Sequence, residues 1–210
     1  CHCSRADIVR AGGAAGAELR YPGLCRDKQL PESPGCGLRV RLDAGEETFD
    51  DLRHGHQVQR PLDQCGDLLV RDRDDNWTYQ FVVTVDDHLQ GVTLVIRGDD
   101  LLPSTGRQIQ LARLLGRTTP PQYLHHGLVM KSPTQKLSKS DGDTSVRDLR
   151  ARGLSAADII GRAATLAGLT NDRSPLLASQ VHALPGISAL SGRRLANKPV
   201  APRTPEPPNL

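Results

Sequence analysis

The stretch that indicates the fold is residues 92–98, Val-Thr-Leu-Val-Ile-Arg-Gly. It is short and almost continuously apolar, which is typical of a strand buried on both faces of a parallel sheet. Residues 104–116, STGRQIQLARLLG, then predict a helix that Ser104 or Thr105 can cap and Gly116 can end. The residues that follow, 123–130 (YLHHGLVM), predict another strand. This order of strand, helix and strand predicts an α/β core.

The rest of the chain divides into an irregular start, further strands and a helical end. The first forty residues are rich in turns, and Pro22-Gly23 suits the centre of a type II turn. The predicted strands before residue 92 are 38–42, 67–73 and 78–85, and the predicted helices after residue 143 are 144–152, 155–168 (capped by Ser155) and 174–183. The predicted domains are a metal-binding segment (1–37), a core (38–143), a helical extension (144–196) and a disordered proline-rich tail (197–210).

Composition limits the classes of function. The chain has 210 residues, 27 of them basic and 24 acidic, and the net charge of +3 permits contact with a polyanion without demanding it. We find no apolar run near the roughly 18 residues that a membrane-spanning helix needs. Five unevenly spaced cysteines favour a reduced, cytoplasmic protein over a secreted disulfide framework. Because the chain begins at Cys1 and its only methionine is Met130, we expect that residues precede it.

The cysteines near the start predict a metal site. Cys1 and Cys3 flank His2, and Cys25 and Cys36 follow in the same loop-rich region. Two sulfurs at this spacing can reach one ion, and a soft tetrahedral set of sulfur and nitrogen ligands suits zinc. The spacing leaves the ligand set open between four cysteines, a set with His2, and a set with a neighbour of Cys25.

A second candidate site combines Tyr79 with Arg97. Arg97 precedes Gly98 at the carboxyl end of a predicted strand, where open α/β sheets bind ligands. A guanidinium group there can hold a carboxylate through two hydrogen bonds. The plainer alternative is an arginine that pairs with Asp99 or Asp100.

The third candidate is the loop QKLSKSDG at residues 135–142. Lys136 and Lys139, with the hydroxyl groups of Ser138 and Ser140, can neutralise a triphosphate as charge develops on it. The loop lacks the glycine spacing of a P-loop. Taken alone, it fits a polar surface turn equally well.

These three features occur in an order that resembles one family. The run TYQFVVTVDDHLQGVTLVIRGDDLLPSTGRQIQLARLLG, followed by YLHHGLVMKSPTQKLSKS, resembles the second half of a glutamyl-type class I aminoacyl-tRNA synthetase catalytic domain. KLSKS matches the Lys-Met/Leu-Ser-Lys-Ser signature of that class. The beginning, CHCSRADI followed by YPGLCR, resembles the glutamyl-Q tRNA(Asp) synthetases, as does the short stretch of about seventy residues after Ser140. The fold implied is the later part of a Rossmann-like domain with a zinc-binding insertion and a short helical extension.

The resemblance implies a particular ligand set for zinc. The family uses a Cys-x-Cys pair and a Tyr-x-x-x-Cys pair, which match Cys1, Cys3, Tyr21 and Cys25 here. Cys36 then lies outside the site. Since a tyrosine ligand is unusual for zinc, Cys36 and His2 remain alternatives to Tyr21.

The resemblance also implies the chemistry. Tyr79 and Arg97 would bind L-glutamate. ATP with its Mg²⁺ would be bound by Lys136, Ser138 and Lys139, and Lys139 would also be catalytic by stabilising the departing pyrophosphate. Glutamyl-adenylate would form first, and glutamate would then pass to the queuosine base in the anticodon loop of tRNA(Asp).

One signature of the class is missing. The His-x-Gly-His motif does not occur, because HGH at 54–56 and HHG at 125–127 have the wrong contexts. We therefore expect the 210 residues alone to be inactive, within a parent protein that is a monomeric cytoplasmic enzyme. The alternatives are a fragment of a conventional glutamyl-tRNA synthetase and a non-catalytic, zinc-stabilised tRNA-binding module.

Overall fold

The described residues belong to two compact units. The computed structural model describes residues 1–13, 19–132, 135–136, 145–184 and 187. The units are Cys1–Lys136 and Leu137–Leu210. The predicted division at residues 37, 143 and 196 is finer than this and stays a prediction.

The first unit contains short helices and two sheets, with a hairpin at its end. Its described helices are α1 (Arg5–Arg10), α2 (Pro61–Cys65), α3 (Tyr79–Leu89) and α4 (Thr105–Leu114), and a 3₁₀ helix at Asp99–Ser104 leads into α4. Its strands are β1 (Leu38–Val40), β2 (Glu47–Asp51), β3 (Gly55–Gln59), β4 (Leu68–Arg71), β5 (Leu94–Gly98), β6 (Gln122–His126), β7 (Met130–Ser132) and β8 (Gln135–Lys136).

The main sheet has the strand order β3-β2-β6-β5. β5 and β6 are parallel and pair from Leu94 with Gln122 to Gly98 with His126. β2 is also parallel to β6, whereas β3 returns antiparallel beside β2. The predicted parallel strand is confirmed over Leu94–Gly98, but its predicted burial on both faces is wrong, because β5 ends the described strand order and Ile96 is 61% exposed. The carboxyl ends of three strands meet at one edge of the sheet.

Helix α4 lies between the two core clusters. Its Leu111 packs with Leu68 and Val70 of the small β1–β4 sheet, and its Ile109 packs with Phe49 and Tyr123 of the main sheet. Burial on both sides explains why the polar residues Arg107, Gln108 and Gln110 of this helix are inaccessible. The helix therefore fixes the two sheets relative to each other within the first unit.

The predicted strand at 78–85 is wrong. These residues form most of α3, and Tyr79 is its first residue rather than the middle of a strand. Aromatic and β-branched residues favour strands locally, but here Phe81 packs against the first core cluster and Thr84 is buried one turn later. This helical spacing of inward-facing side chains outweighs the local preference.

The predicted end of α4 at Gly116 is confirmed, whereas the predicted cap at its start is wrong. Gly116 has φ +88° and ends the helix, and Arg117 N–H donates to the carbonyl of Ala112 at 2.9 Å. Neither Ser104 nor Thr105 caps the start, because the 3₁₀ helix runs directly into α4. The hydroxyl of Thr105 is instead bound to Arg97.

The second unit is helical where it is described. It contains α5 (Val146–Ala151), α6 (Ala156–Leu166) and a 3₁₀ helix at Ala178–Ala183. The predicted cap of α6 is confirmed, since Ser155 Oγ accepts from the N–H of Asp158 at 3.2 Å. The predicted helix at 174–183 is shorter than expected. Across the described residues of both units, no helix has the length and apolar character needed to cross a membrane.

Candidate active site and metal centre

Arg97 lies at the ligand-binding edge of the main sheet. It is the penultimate residue of β5, and only 8% of it is exposed. Its Nε donates to His125 Nε2 at 2.9 Å, its Nη1 to Gln108 Oε1 at 2.5 Å and its Nη2 to Thr105 Oγ1 at 2.8 Å. Burial lowers the pKa of Arg97 below its ordinary value.

The partners of this buried cation are all uncharged. The alternative pairing with Asp99 is not present, because Asp99 binds His54 at 2.7 Å. No carboxylate in the described residues forms an ion pair with Arg97. A buried guanidinium without a counter-ion is costly, and an incoming carboxylate would compensate it.

His125 and Asp51 hold Arg97 in place. His125 Nδ1 lies 2.7 Å from Asp51 Oδ2, and both side chains are completely buried. Burial lowers the pKa of His125 despite its bond to Asp51, so the ring is neutral. Because Nδ1–H donates to the carboxylate, Nε2 is left as an acceptor for Arg97.

The charge of Asp51 is stabilised by a ring of N–H groups. Oδ1 accepts from the backbone of Arg53 and of His54 at 2.9 Å, and Oδ2 accepts from the backbone of His125 at 3.0 Å. Burial raises the pKa of Asp51, but these hydrogen bonds outweigh it and hold the pKa below its ordinary value. Asp51 is therefore an anion that fixes the imidazole tautomer.

Tyr79 interacts with Arg97, and the substrate-binding roles of the two residues stay predictions. Among the smaller effects on the pKa of Arg97 are a charge interaction and a hydrogen bond with Tyr79, both of which raise it. More than half of Tyr79 is exposed, so its phenol is accessible from solvent. The neighbouring Gln80 accepts from Gln108 at 2.6 Å, which ties the start of α3 to the partners of Arg97.

The sequence did not indicate the residues that position Arg97. Asp51, Thr105, Gln108 and His125 come from three different elements (β2, α4 and β6), and their meeting depends on the pairing of β2, β5 and β6. His125 was noted only as part of the HHG stretch. The pairing of Arg97 with His125 in the register of β5 and β6 would have been the available signal.

The predicted ATP-binding loop lies almost entirely outside the described residues. Ser138 and Lys139 are not described, and Lys136 is described only as a residue of β8 that pairs with Met130. Their predicted roles stay predictions.

Three of the predicted zinc ligands come together. The sulfur atoms of Cys1, Cys3 and Cys25 all lie within 4.8 Å of one another, and those of Cys3 and Cys25 are 3.4 Å apart. The hydroxyl of Tyr21 is 3.6 Å from Cys1 Sγ. Three sulfurs and a phenol oxygen can form the four-donor shell that zinc favours, so the residues present fit the ion.

The alternative ligands lie apart from this cluster. Cys36 is buried, and its sulfur is 3.2 Å from His2 Nδ1 and 3.1 Å from Ser33 Oγ. Among the described residues, Cys36 is therefore not a member of the group formed by Cys1, Cys3 and Cys25.

The pKa values of Cys3, Tyr21 and Cys25 are all shifted, and burial raises that of Cys3. Burial raises the pKa of Tyr21 to about 12. Burial also raises the pKa of Cys25, but hydrogen bonds with the backbone of His2 and the side chains of Cys3 and Tyr21 outweigh it, and the net shift is downward. The thiol of Cys25 therefore loses its proton more readily than that of Cys3.

An open, largely parallel sheet with a buried arginine at its carboxyl edge defines an α/β domain of the kind that binds ligands at that edge. Comparison with known proteins specifies it further. The profile of the family "tRNA synthetases class I (E and Q), catalytic domain" matches residues 25–175, and the chain belongs to this family.

Similar proteins carry related names. A glutamyl-Q tRNA(Asp) synthetase from Geobacter sulfurreducens is 43% identical over 185 residues, covering 82% of this chain and 59% of the relative. One from Burkholderia cenocepacia is 42% identical over 152 residues, covering 70% of this chain and 50% of the relative. The chain therefore spans about half the length of the curated relatives it matches.

A solved structure supports the fold. The glutamate tRNA ligase of Elizabethkingia meningosepticum, in complex with its amino acid, superimposes with a TM-score of 0.61 at 21% identity. The match covers 86% of this chain and 43% of that structure.

Proposed function

We propose that the protein containing this chain activates L-glutamate with ATP and transfers it to the queuosine base of tRNA(Asp). The observation that carries the proposal is Arg97, a buried cation with uncharged partners beside the phenol of Tyr79. The names of the similar proteins support the particular tRNA. A cytoplasmic location, where ATP and tRNA are found, belongs to the same proposal.

Each residue has a role in this reaction. Arg97 neutralises a glutamate carboxylate, and Tyr79 donates a hydrogen bond to it. The α-carboxylate attacks the α-phosphorus of Mg²⁺-bound ATP, and the bond to pyrophosphate breaks as Lys139 balances the charge on the leaving group. A hydroxyl of the queuosine cyclopentenediol then attacks the activated carbonyl, loses its proton, and releases AMP.

Zinc would be held by Cys1, Cys3, Tyr21 and Cys25. Bound there, it would supply a cross-link between the start of the chain and the loop after Tyr21. Cys25 is the last of these four ligands, and β1 begins at Leu38, so the cross-link fixes the segment before the first strand.

Transfer of radioactive glutamate to tRNA tests the proposal. The protein that contains this chain is incubated with ATP, radioactive glutamate and tRNA with or without queuosine. We expect label on tRNA(Asp) only when queuosine is present, and we expect periodate treatment of the diol beforehand to remove acceptance. Label at the end of tRNA(Glu) would support a conventional glutamyl-tRNA synthetase instead, and tRNA binding without label would support a non-catalytic module.

Substitution of Lys139 separates catalysis from binding. We expect Lys139→Ala to reduce glutamate-dependent ATP–pyrophosphate exchange by about 10²-fold or more, because it removes a positive charge from the leaving group. Binding of tRNA, measured by filter retention, should stay nearly unchanged. Equal loss of both would contradict the role given to Lys139.

A further inference from the structure

Arg39 lies against the aromatic ligand of the candidate metal centre. The guanidinium carbon of Arg39 in β1 is 3.9 Å from the centre of the Tyr21 ring. This is well inside the roughly 6 Å over which a cation and an aromatic face attract each other. The Tyr21 side chain lies between Arg39 and the thiol cluster, and only 3% of this residue is exposed.

Hydrogen bonds alone do not explain the position of Arg39. Its Nη1 donates to the carbonyl of Asp67 at 2.8 Å. Its Nε is buried and has no hydrogen-bond partner in the residues that the structure describes. An arginine accepts such an arrangement where another interaction of the guanidinium compensates it, and here the compensating contact is the Tyr21 ring.

The other end of the same ring points into the cluster. The hydroxyl oxygen of Tyr21 lies 3.6 Å from Cys1 Sγ and accepts a 2.7 Å hydrogen bond from the N–H of Cys25. The backbone of Tyr21 is fixed as well, because its N–H donates to Cys65 at 2.9 Å. A Cβ at Gly66 would lie 1.9 Å from the Tyr21 carbonyl oxygen, so the backbone at residue 66 packs directly against that of Tyr21.

The balance of charge in the cluster indicates a role for the contact between Arg39 and the Tyr21 ring. Three thiolates and a phenolate carry four negative charges, of which a divalent ion balances two. Arg39 faces the ring of one ligand, and its positive charge also acts on Cys3. The positive charge of Lys28 also acts on Cys25, whereas the negative charge of Asp7 acts on Cys3 with the opposite sign. A cation in contact with the phenol ring therefore offsets the excess charge where the weakest of the four ligands binds.

We propose that Arg39, without touching the metal, makes Tyr21 effective as the fourth ligand of the zinc centre. It does so by holding the ring in place and by compensating the negative charge of the oxygen. The proposal rests on the metal centre described above, and it adds a residue outside the ligand set whose loss weakens the site.

Zinc binding by this chain tests the proposal without any enzymatic assay. The dissociation constant is measured by competition with a chromophoric chelator for the wild type, Arg39→Met and Arg39→Lys. We expect Arg39→Met to weaken zinc binding by about 10- to 100-fold, the range typical of partners that orient a ligand. Arg39→Lys keeps the charge, and we expect it to restore most of the affinity.

Arg41 provides the matched control. It is two residues further along the chain, its side chain is 61% exposed, and it pairs with Asp27 at 3.3 Å. Arg41→Met removes the same charge without touching Tyr21, so we expect less than about a threefold change, in keeping with an exposed charge. An equal effect of both substitutions would overturn the proposal.

A double-mutant cycle with Tyr21→Phe shows whether Arg39 acts through the phenol oxygen. Phenylalanine keeps the ring and removes the ligand atom, so the effect of Arg39→Met should largely disappear in that background. Cobalt absorption bands and the ultraviolet absorption of a bound phenolate report the ligand set directly. Persistence of the full Arg39 effect in Tyr21→Phe would show a packing role and overturn the proposal.

The outcomes also separate the two levels of the argument. If the wild-type chain does not bind zinc, the metal centre itself is wrong and the role of Arg39 fails with it. If the wild type and Tyr21→Phe bind zinc equally well, Tyr21 is not a ligand and only the role of Arg39 is overturned. Thermal unfolding of each variant with a chelator present shows that the differences do not arise from loss of the fold.

Discussion

At the scale of single residues, Arg97 derives its character from its neighbours. Its guanidinium group is held by a neutral imidazole, an amide and a hydroxyl, so its charge remains available for a ligand. The imidazole is neutral because Asp51 fixes its tautomer and burial disfavours the cation. Asp51, which acts on Arg97 through His125, thus determines how the guanidinium group is held.

Asp51→Asn tests this arrangement. The amide nitrogen would face N–H donors that now meet a carboxylate oxygen, so buried charge-assisted hydrogen bonds are lost. We expect the free energy of unfolding in urea to fall by about 3 kcal/mol. Asp50→Asn is the control, because Asp50 is an exposed neighbour whose side chain pairs with His56, and it should cost less than about 0.5 kcal/mol. Similar losses for both variants would contradict the role of Asp51.

At the scale of elements, the sequence predicted what short-range patterns determine. The apolar run of β5, the glycine that ends α4 and the serine cap of α6 are local signals, and each was confirmed. Residues 78–85 were predicted as a strand because their composition favours one, whereas packing against the core makes them a helix. The positions of Cys1, Cys3 and Cys25 were anticipated from a resemblance, but the contacts of Arg97 depend on strand pairing that no short window contains.

Helix α6 contains a glycine whose role is packing. Alanine normally favours a helix interior over glycine by about 1 kcal/mol. At Gly161, however, a Cβ would lie 2.2 Å from the carbonyl oxygen of Ser174 in the same unit. We therefore expect Gly161→Ala to destabilise this unit, seen as faster hydrogen exchange of the amide of Leu176, which donates to Ala157.

The exposed Ala163 in the same helix gives the comparison for this prediction. Ala163→Gly should cost only the ordinary difference in helix propensity, about 1 kcal/mol. If Gly161→Ala instead slows the exchange of Leu176, the close approach of Ser174 does not restrict this position.

At the scale of the whole molecule, stability is expected to be unevenly distributed. The main sheet and α4 are held by buried side chains, whereas the segment before β1 has few buried residues and relies on the thiol cluster. Binding of a structural metal then contributes to folding locally. The described residues of the first unit would then contain one region whose order depends on zinc and another that is independent of it.

Hydrogen exchange with and without a zinc chelator measures this difference. We expect the chelator to accelerate exchange at Tyr21 and Gly37, whose N–H groups bond to Cys65 and Cys1. The amides of Leu124 and His125 in β6 should exchange at the same rate in both samples. Uniform acceleration across the sheet would show that zinc stabilises the whole unit, and no change at Tyr21 would argue against the metal centre.

The contact between Tyr21 and Gly66 has a consequence for how this protein can evolve. Gly66 has φ +68° and no room for a side chain, because the Tyr21 carbonyl fills the space. A lineage that acquired any other residue at 66 would displace the backbone of Tyr21 and with it the phenol oxygen. Selection on the proposed tyrosine ligand therefore extends to a glycine 45 residues away, and because the clash is with a backbone carbonyl, replacing Tyr21 would not by itself make room for a side chain at residue 66.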